Sequence, residues 1–576
     1  MKKTFFFSMF TTAIIMMSGC STDEPYEDNN SGNNGWNSGG NSSTNGELST
    51  FDVVIDKTSA EPETTASEYF PDDEDALENN EFSTEVSIDL SNPVAKMEGG
   101  VEVAVIGNHI TVNHGSTKSV CYVVSGNTTN GSLTVLGDKK YAVKLNGATI
   151  TNPDSAALNL LSSKRAYIIL AEGTTNTLAD GTGGSQKGAL YCKGKLLFNG
   201  SGSLNVTGKI NNGIHVADYI VFNKGNNIYV KSLANHGIKA NDGVYINGGI
   251  LNVEVSAAAA KGINCESHIF VNGGRTTILT TGNGTYDSED REAKGSAGIK
   301  ADSTFVMNGG ELWLKNTGSG GKGINVDMMT NFSGGSVYVV TSGGLYKSNN
   351  DTASPKGIKG DGNITFSGGR IWVRTSGSSG EGIESKGTLS ITGGEVASYA
   401  SDDAINSAGN MTISGGYVMA NSTGNDGIDA NGNLYVKGGN VFAIGTSSPE
   451  VGLDANTEGG YALYITGGNV VAIGGLESGC SISNGSAYQA SSYSKGAWYA
   501  LLNGGAAAFA FKVPSNSKMG TPLCVYTSGT ASLLSGVTGS GTALWDGNGY
   551  TGYSGGSSVS LSEYSNNSGP GGGGRW

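Results

Sequence analysis

From about residue 185 the chain keeps a fixed beat of apolar and polar positions. A Gly-Ile pair leads into a short polar step, a strand-like alternation, a Gly-Gly pair and a second alternation. Copies open at Gly237-Ile238, Gly262-Ile263, Gly298-Ile299, Gly323-Ile324, Gly357-Ile358, Gly382-Ile383, Ala404-Ile405, Gly427-Ile428 and Gly452-Leu453, with degenerate ones at Gly188 and Gly213. After Gly309-Gly310 stand Glu311, Leu312, Trp313 and Leu314; after Gly368-Gly369 stand Arg370, Ile371, Trp372 and Val373. Alternation with period two turns the aliphatic residues inward and the intervening ones outward. One such unit cannot bury its own apolar edge, so successive units must stack and share a continuous core. The pattern predicts an all-β protein, a right-handed parallel β-helix of about a dozen coils of roughly 22 to 25 residues. Irregular β caps are expected at its ends, since a bare end is an open sheet edge.

Composition agrees. Glycine supplies 93 of 576 residues and proline only 10, and each glycine inside a helix costs about 1 kcal/mol relative to alanine, so short strands and turns are favoured over helices. Residues 91–184, with irregular short strands, are expected to form an N-terminal β cap and the first coils. Residues 185–475 form the solenoid, and residues 476–576 a C-terminal β cap with a Gly-rich tail. Two coils are longer, and their extra residues, at about 283–296 and 343–355, are expected to project as loops.

The net charge of -15 is unevenly spread. Residues 21–90 carry 18 acids against Lys57 alone, leaving 32 acids and 32 bases from residue 91 onward. Few apolar positions accompany those acids, so residues 21–90 read as an acidic, disordered spacer. The neutral body gives no case for a nucleic-acid partner. Ahead of the spacer, Lys2, Lys3 and the apolar run Phe5 to Met17 end at Ser18-Gly19-Cys20. Residues 1–20 thus read as a signal peptide, and the small residues before Cys20 resemble a bacterial lipobox, which implies lipidation of Cys20. Asp23, Glu24, Glu27 and Asp28 resemble the export tags of some surface lipoproteins. An outer-membrane lipoprotein exposed at the cell surface is expected, touching the membrane through its lipid alone.

Stacking the coils gathers distant residues into three columns. Trp313, Tyr338 and Trp372 form an outward aromatic one, with Phe442 further along and Arg370, Arg374, Lys315 and Glu311 beside it; such rings suit the C–H faces of sugars. Lys239, Lys261, Lys300, Lys322, Lys356 and Lys359 form a basic one, with Asp302, Asp327 and Asp361 as possible partners. In the same two positions the later coils carry Glu381 and Glu384, Asp402 and Asp403, Asp426 and Asp429, then Glu450 and Asp454. Carboxylates about 5 Å apart repel unless they share a cation, and Ca²⁺, which takes six to eight oxygens in flexible geometry, suits them. Candidate metal ligands are Asp402, Asp403, Asp426, Asp429, Glu384 and Asp454. No residue stands out as catalytic, because the five histidines lie beside no evident nucleophile.

The units Asp426-Gly427-Ile428-Asp429-Ala430-Asn431 and Asp402-Asp403-Ala404-Ile405-Asn406, with Leu170 to Gly181 upstream, resemble a bacterial family of secreted carbohydrate-binding β-helix proteins, similar in fold to calcium-dependent pectate lyases. The resemblance implies binding of an acidic plant polysaccharide such as polygalacturonate, with bound calcium. The expected function is binding of acidic polysaccharide, with Trp313, Tyr338, Trp372, Arg370, Arg374, Lys300, Lys322 and Lys359 as contacts. A calcium-dependent polysaccharide lyase and a structural adhesin or surface spacer are the alternatives.

Overall fold

The structure, a computed structural model, describes residues 51–116, 119–515 and 518–565. The signal peptide, Cys20 and the first part of the spacer lie outside these residues, as does the Gly-rich tail from 566 on. Strands dominate, and no described helix is long and apolar enough to cross a membrane.

The body is a parallel β-helix with three faces. Each coil gives one strand to a first face, beginning at its Gly-Ile pair, one to a second face before the Gly-Gly turn, and one to a third face after it. The coil of Ile238–Ala240, Gly243–Ile246 and Ile250–Val255 is typical. Register is strict from coil to coil: Ile238 pairs with Ile263, Ile263 with Ile299 and Ile299 with Ile324 on the first face. Inward residues of all three faces are fully buried in one core. On the second face, Phe332 stacks on Phe366 with centroids 5.0 Å apart.

Parallel pairing begins earlier than the Gly-Ile beat. Thr84–Asp89 already pairs in parallel with Val120–Thr128, and that strand with Tyr141–Asn152. First-face pairing starts at His109–Asn113 and continues through single bridges at Leu453 and Leu476. The helix therefore has about fifteen coils, more than the dozen that the repeat alone announces. The early coils turn their corners without the Gly-Ile signature.

Two glycine positions carry the geometry. The second glycine of each Gly-Gly turn has positive φ, +76° at Gly335 and +80° at Gly369, which side chains with a Cβ rarely adopt. The glycine of each Gly-Ile pair lies against the third face: a Cβ at Gly323 would overlap Val339, and one at Gly357 would overlap Val373. Where Ala404 replaces that glycine, the residue sixteen positions on is Ala420, whereas Gly323 and Gly357 have valine there. Between the second and third faces runs an asparagine ladder, buried from Asn199 to Asn272 and exposed at Asn308. Asn223 donates to Asn199 at 2.9 Å, Asn272 to Asn247 at 3.1 Å and Asn308 to Asn272 at 2.9 Å.

Both expected loops are short hairpins, Thr285–Asp287 with Glu292–Lys294 and Tyr346–Ser348 with Asp351–Ala353. They pack on each other, the Asp351 carboxylate accepting from the Ala293 N–H at 2.6 Å. At the C-terminal end, Ser486–Ala490 and Leu523–Thr527 add antiparallel strands, and four strands close a small barrel: Trp498–Asn503, Ala506–Lys512, Ala531–Leu544 and Gly549–Ser558. Its apolar side packs on the third face of the last coils.

Residues 51–82, part of the stretch expected to be disordered, run instead as a strap along the outside of the solenoid. Phe51 lies against Tyr338 and Trp372, and the Lys57 ammonium sits 3.3 Å from the Tyr229 ring centre. Glu61 accepts from the Gly225 and Gly249 N–H groups at the Gly-Gly corner. Tyr69 stacks on Tyr245 and Phe270 on the second face, and Phe82 meets Tyr167 edge-on. The cause is local: these coils expose tyrosines on their outer second face, and the strap's few apolar residues fall where they cover them. Average composition misses this, because the burial is spent against a surface already built.

Candidate functional site

The aromatic column is real. Trp313, Tyr338 and Trp372 are register neighbours on the third face. Trp313 stacks on Tyr338 at 3.8 Å, and Tyr338 meets Trp372 edge-on at 5.3 Å. Each indole N–H is fixed by a carboxylate, Trp313 by Glu311 at 3.1 Å and Trp372 by Glu395 at 2.8 Å. Arg370 lies 5.3 Å over Trp372. The column's cover is the strap rather than the hairpins: Phe51 caps Tyr338 and Trp372, Arg374 sits 5.5 Å over Phe51, and Lys315 pairs with Asp52 at 2.8 Å. Tyr338 is buried beneath, while Trp313 and Trp372 stay half-exposed. Phe442 occupies the same register position but is fully buried against Phe511 of the barrel, so the usable stripe ends at Trp372.

The lysines divide into two groups. Lys300 pairs with Asp302 at 2.9 Å and with Asp327, Lys359 with Asp361 at 2.5 Å, Lys239 with Glu266, and Lys356 with Glu381 at 2.6 Å and Glu384 at 3.4 Å. Lys261 and Lys322 reach carbonyl oxygens instead, those of Ala259 and Gly295 for Lys261 and of Gly320 for Lys322. Burial, and then the charges of neighbouring lysines, bring Lys261 down to about 7 and Lys322 down to about 8. Both sit where the two hairpins leave the solenoid.

The sign of the ladder changes at Lys356, whose first-face register neighbour is Glu381. Lys359, Glu384, Asn406 and Asp429 form one continuous row. Burial works to raise the Glu384 carboxyl, but the charges of Lys356 and Lys386 outweigh it and hold it low. Further on, no cation among the described residues answers. Asp403 is raised well above the usual carboxylate range by burial and then by the charges of Asp429 and Asp402, and Asp429 by burial and then by Asp454. Asp426 is raised by burial and by the charges of Asp454 and Asp403, although its carboxylate accepts the Val451 N–H at 2.5 Å. Asp402 and Glu450 stand one place outside the column: the backbone bonds that place Asp403, Asp426 and Val451 in line leave them beside it. Asp402 accepts from the Asn425 amide at 3.1 Å. Glu477, which the repeat does not announce, extends the row, with its carboxyl raised by burial and by a hydrogen bond with Asp454. Among the described residues no three His, Cys, Asp or Glu side chains form a ready metal cage.

A family model described as "Carbohydrate-binding domain-containing protein" matches residues 106–258, 254–343, 316–404 and 352–427, running unbroken over more than half of the chain. A protein of Acetivibrio thermocellus with the same description is 30% identical over 126 residues, 20% of this chain and 44% of that protein, so the chain spans less than half of that relative's length. Among solved structures, a polysaccharide lyase-like protein from C. thermocellum, in a gadolinium derivative, is 15% identical, with 69% of this chain and 98% of that chain covered at a TM-score of 0.23.

Proposed function

The chain belongs to the carbohydrate-binding domain family, and on that premise we propose that it binds acidic polysaccharide at the bacterial cell surface, carried there by a lipid on Cys20. The observation that carries the reading is the family match, which runs over the same coils that bear the aromatic column and the lysine ladder. The half-exposed rings of Trp313 and Trp372 offer faces to sugar C–H groups. Arg370 and Arg374 stand beside them for hydroxyl and carboxylate groups, and Lys300, Lys322 and Lys359 give the first face cations in two adjacent register rows. Phe51 rests on the platform, so a glycan must share the rings with it or displace it.

Calcium belongs to the same proposal. The carboxyls of Asp403, Asp426 and Asp429 are raised by burial first and by neighbouring acids after it, and a divalent cation would favour their ionised form. Since no three of these side chains converge among the described residues, an ion there would take one or two carboxylates and complete its shell with carbonyl and water oxygens. Its role would be to hold the later coils together.

The test is binding of polygalacturonate to wild type and to Trp313→Ala/Trp372→Ala, measured by calorimetry with calcium present. Loss of both rings is expected to weaken binding about tenfold; undiminished affinity would overturn the platform. A calcium-dependent lyase is the second reading. Lys261 and Lys322, brought near neutrality, supply the weak base that abstraction of a proton beside a carboxylate requires. Steady growth of ultraviolet absorbance from unsaturated products would establish it.

A further inference from the structure

The first coils carry a second charged surface, far along the solenoid from the acidic ladder. Tyr141, Ala166 and Leu196 are register neighbours on the second face. The residues immediately before them, Lys140, Arg165 and Lys195, therefore stack in one row at the corner between the first and second faces. Lys139 and Lys164 form a second row beside it. The next coil has Asp218 and Tyr219 at this corner, so the basic block is confined to three coils. These five cations, with Ser119, Ser163, Glu74 and Asp138, line an open groove of about 560 Å³.

Like charges one coil apart repel, and the strap answers only some of them. Its short turn brings Asp72, Glu74 and Asp75 onto Arg165, at 2.6, 2.9 and 2.8 Å, and Glu74 onto Lys140 at 3.3 Å. The groove thus already holds carboxylates of its own chain along one side. On the other side, Lys139 and Lys164 are exposed and have no carboxylate partner among the described residues. Lys195 sits 5.3 Å from the Tyr219 ring centre and feels the charge of Asp72, but makes no ion pair among the described residues.

We propose that this corner is a second glycan site, in which Lys139, Lys164 and Lys195 bind the carboxylates of an acidic polysaccharide laid along the solenoid axis. An extended polymer fits better than a small anion, because the free charges are spread over three coils and two adjacent rows rather than converging on one point. Coil spacing of about 4.8 Å sets the ammonium groups at intervals that a chain bearing one charge per sugar can meet repeatedly. The proposal rests on the carbohydrate-binding reading but uses none of the residues of the aromatic column.

The experiment compares purified wild type with Lys139→Ser/Lys164→Ser/Lys195→Ser on two probes, polygalacturonate and its fully methyl-esterified form, at low and physiological salt. Wild type is expected to prefer the charged polymer. The triple variant should lose about tenfold on that polymer, show a shallower salt dependence, and keep its affinity for the ester. Because the three side chains lie outside the core, its melting temperature should match wild type. Unchanged affinity and salt dependence in the variant overturn the proposal, as does a wild type that holds both polymers equally; in each case the broader reading stands. A wild type that holds neither polymer removes both. If the lysines instead prove necessary for binding phosphatidylglycerol vesicles while polygalacturonate binding is unaffected, the corner is a lipid-facing surface and the glycan site is refuted.

Discussion

Asp426 accepts the Val451 N–H from a buried position and faces the charges of Asp454, Asp403 and Glu450. Because its carboxyl is raised in the folded state, the stability it contributes is present below the ordinary carboxylate value and is lost as pH rises through the raised one. Other buried groups run the opposite way. His215, brought down to about 4, and His236, to about 3, both by burial first and neighbouring lysines second, take stability away as pH falls below about 6.5. Lys261 adds stability as pH climbs above about 7. A difference between variants separates these effects. Asp426→Asn keeps the acceptor and removes the charge, so in chelator at pH 8 it should be more stable than wild type by about 2 kcal/mol. The gap should close toward pH 4, and saturating calcium should reverse the order. Urea unfolding at the two pH values measures this; a less stable variant at pH 8 in chelator would contradict it. Gly357→Ala probes close approach, and overlap with Val373 should cost about 1–3 kcal/mol in the same assay.

At the scale of elements, one carboxylate is the most deeply buried of the strap's anchors. Asp75 is fully buried, accepts from the Tyr219 hydroxyl at 2.7 Å and from Arg165 Nε at 2.8 Å. Asp75→Ala leaves Arg165 with Asp72 and Glu74 but removes its most buried partner and the acceptor of the Tyr219 hydroxyl, so it should cost about 1–3 kcal/mol. Limited proteolysis should then cut within residues 51–82 while the coils resist; an intact strap in the variant would count against this anchor. The repeat coils were legible in the sequence because each announces itself with the same Gly-Ile and Gly-Gly beat, and that beat places Trp313, Tyr338 and Trp372 in one column. The strap was not, because its contacts join single residues such as Tyr69 and Phe82 to surfaces roughly 85 to 200 positions away. The early coils were legible only as strands, lacking the glycines that mark corners. Asp402 stands one position outside the column, because Asp403 already fills the place directly before Ala404.

For the whole molecule, the third face is divided between two covers, the strap over Tyr229 to Trp372 and the barrel beyond. Trp545 joins the barrel to the solenoid: it is fully buried, its backbone N–H donates to Glu395 at 2.6 Å, and its ring lies 6.2 Å from Phe442. Trp545→Ala should cost about 3–5 kcal/mol and bare the Phe442 surface, seen as new binding of a hydrophobic dye below the unfolding transition; no such binding would mean that the barrel holds by other contacts. The strap has a different bearing on how such a protein can change. Phe51 touches Tyr338, and Lys57 touches Tyr229 four coils away, a rise of about 19 Å spanned by a stretch of chain whose full extension is about 20 Å. A solenoid can in principle lengthen by duplicating a coil anywhere. Here the strap crosses those four coils with little chain to spare, so a coil duplicated between Tyr229 and Tyr338 would pull Phe51 or Lys57 from its ring, whereas one duplicated beyond Trp372 would leave every strap contact in place.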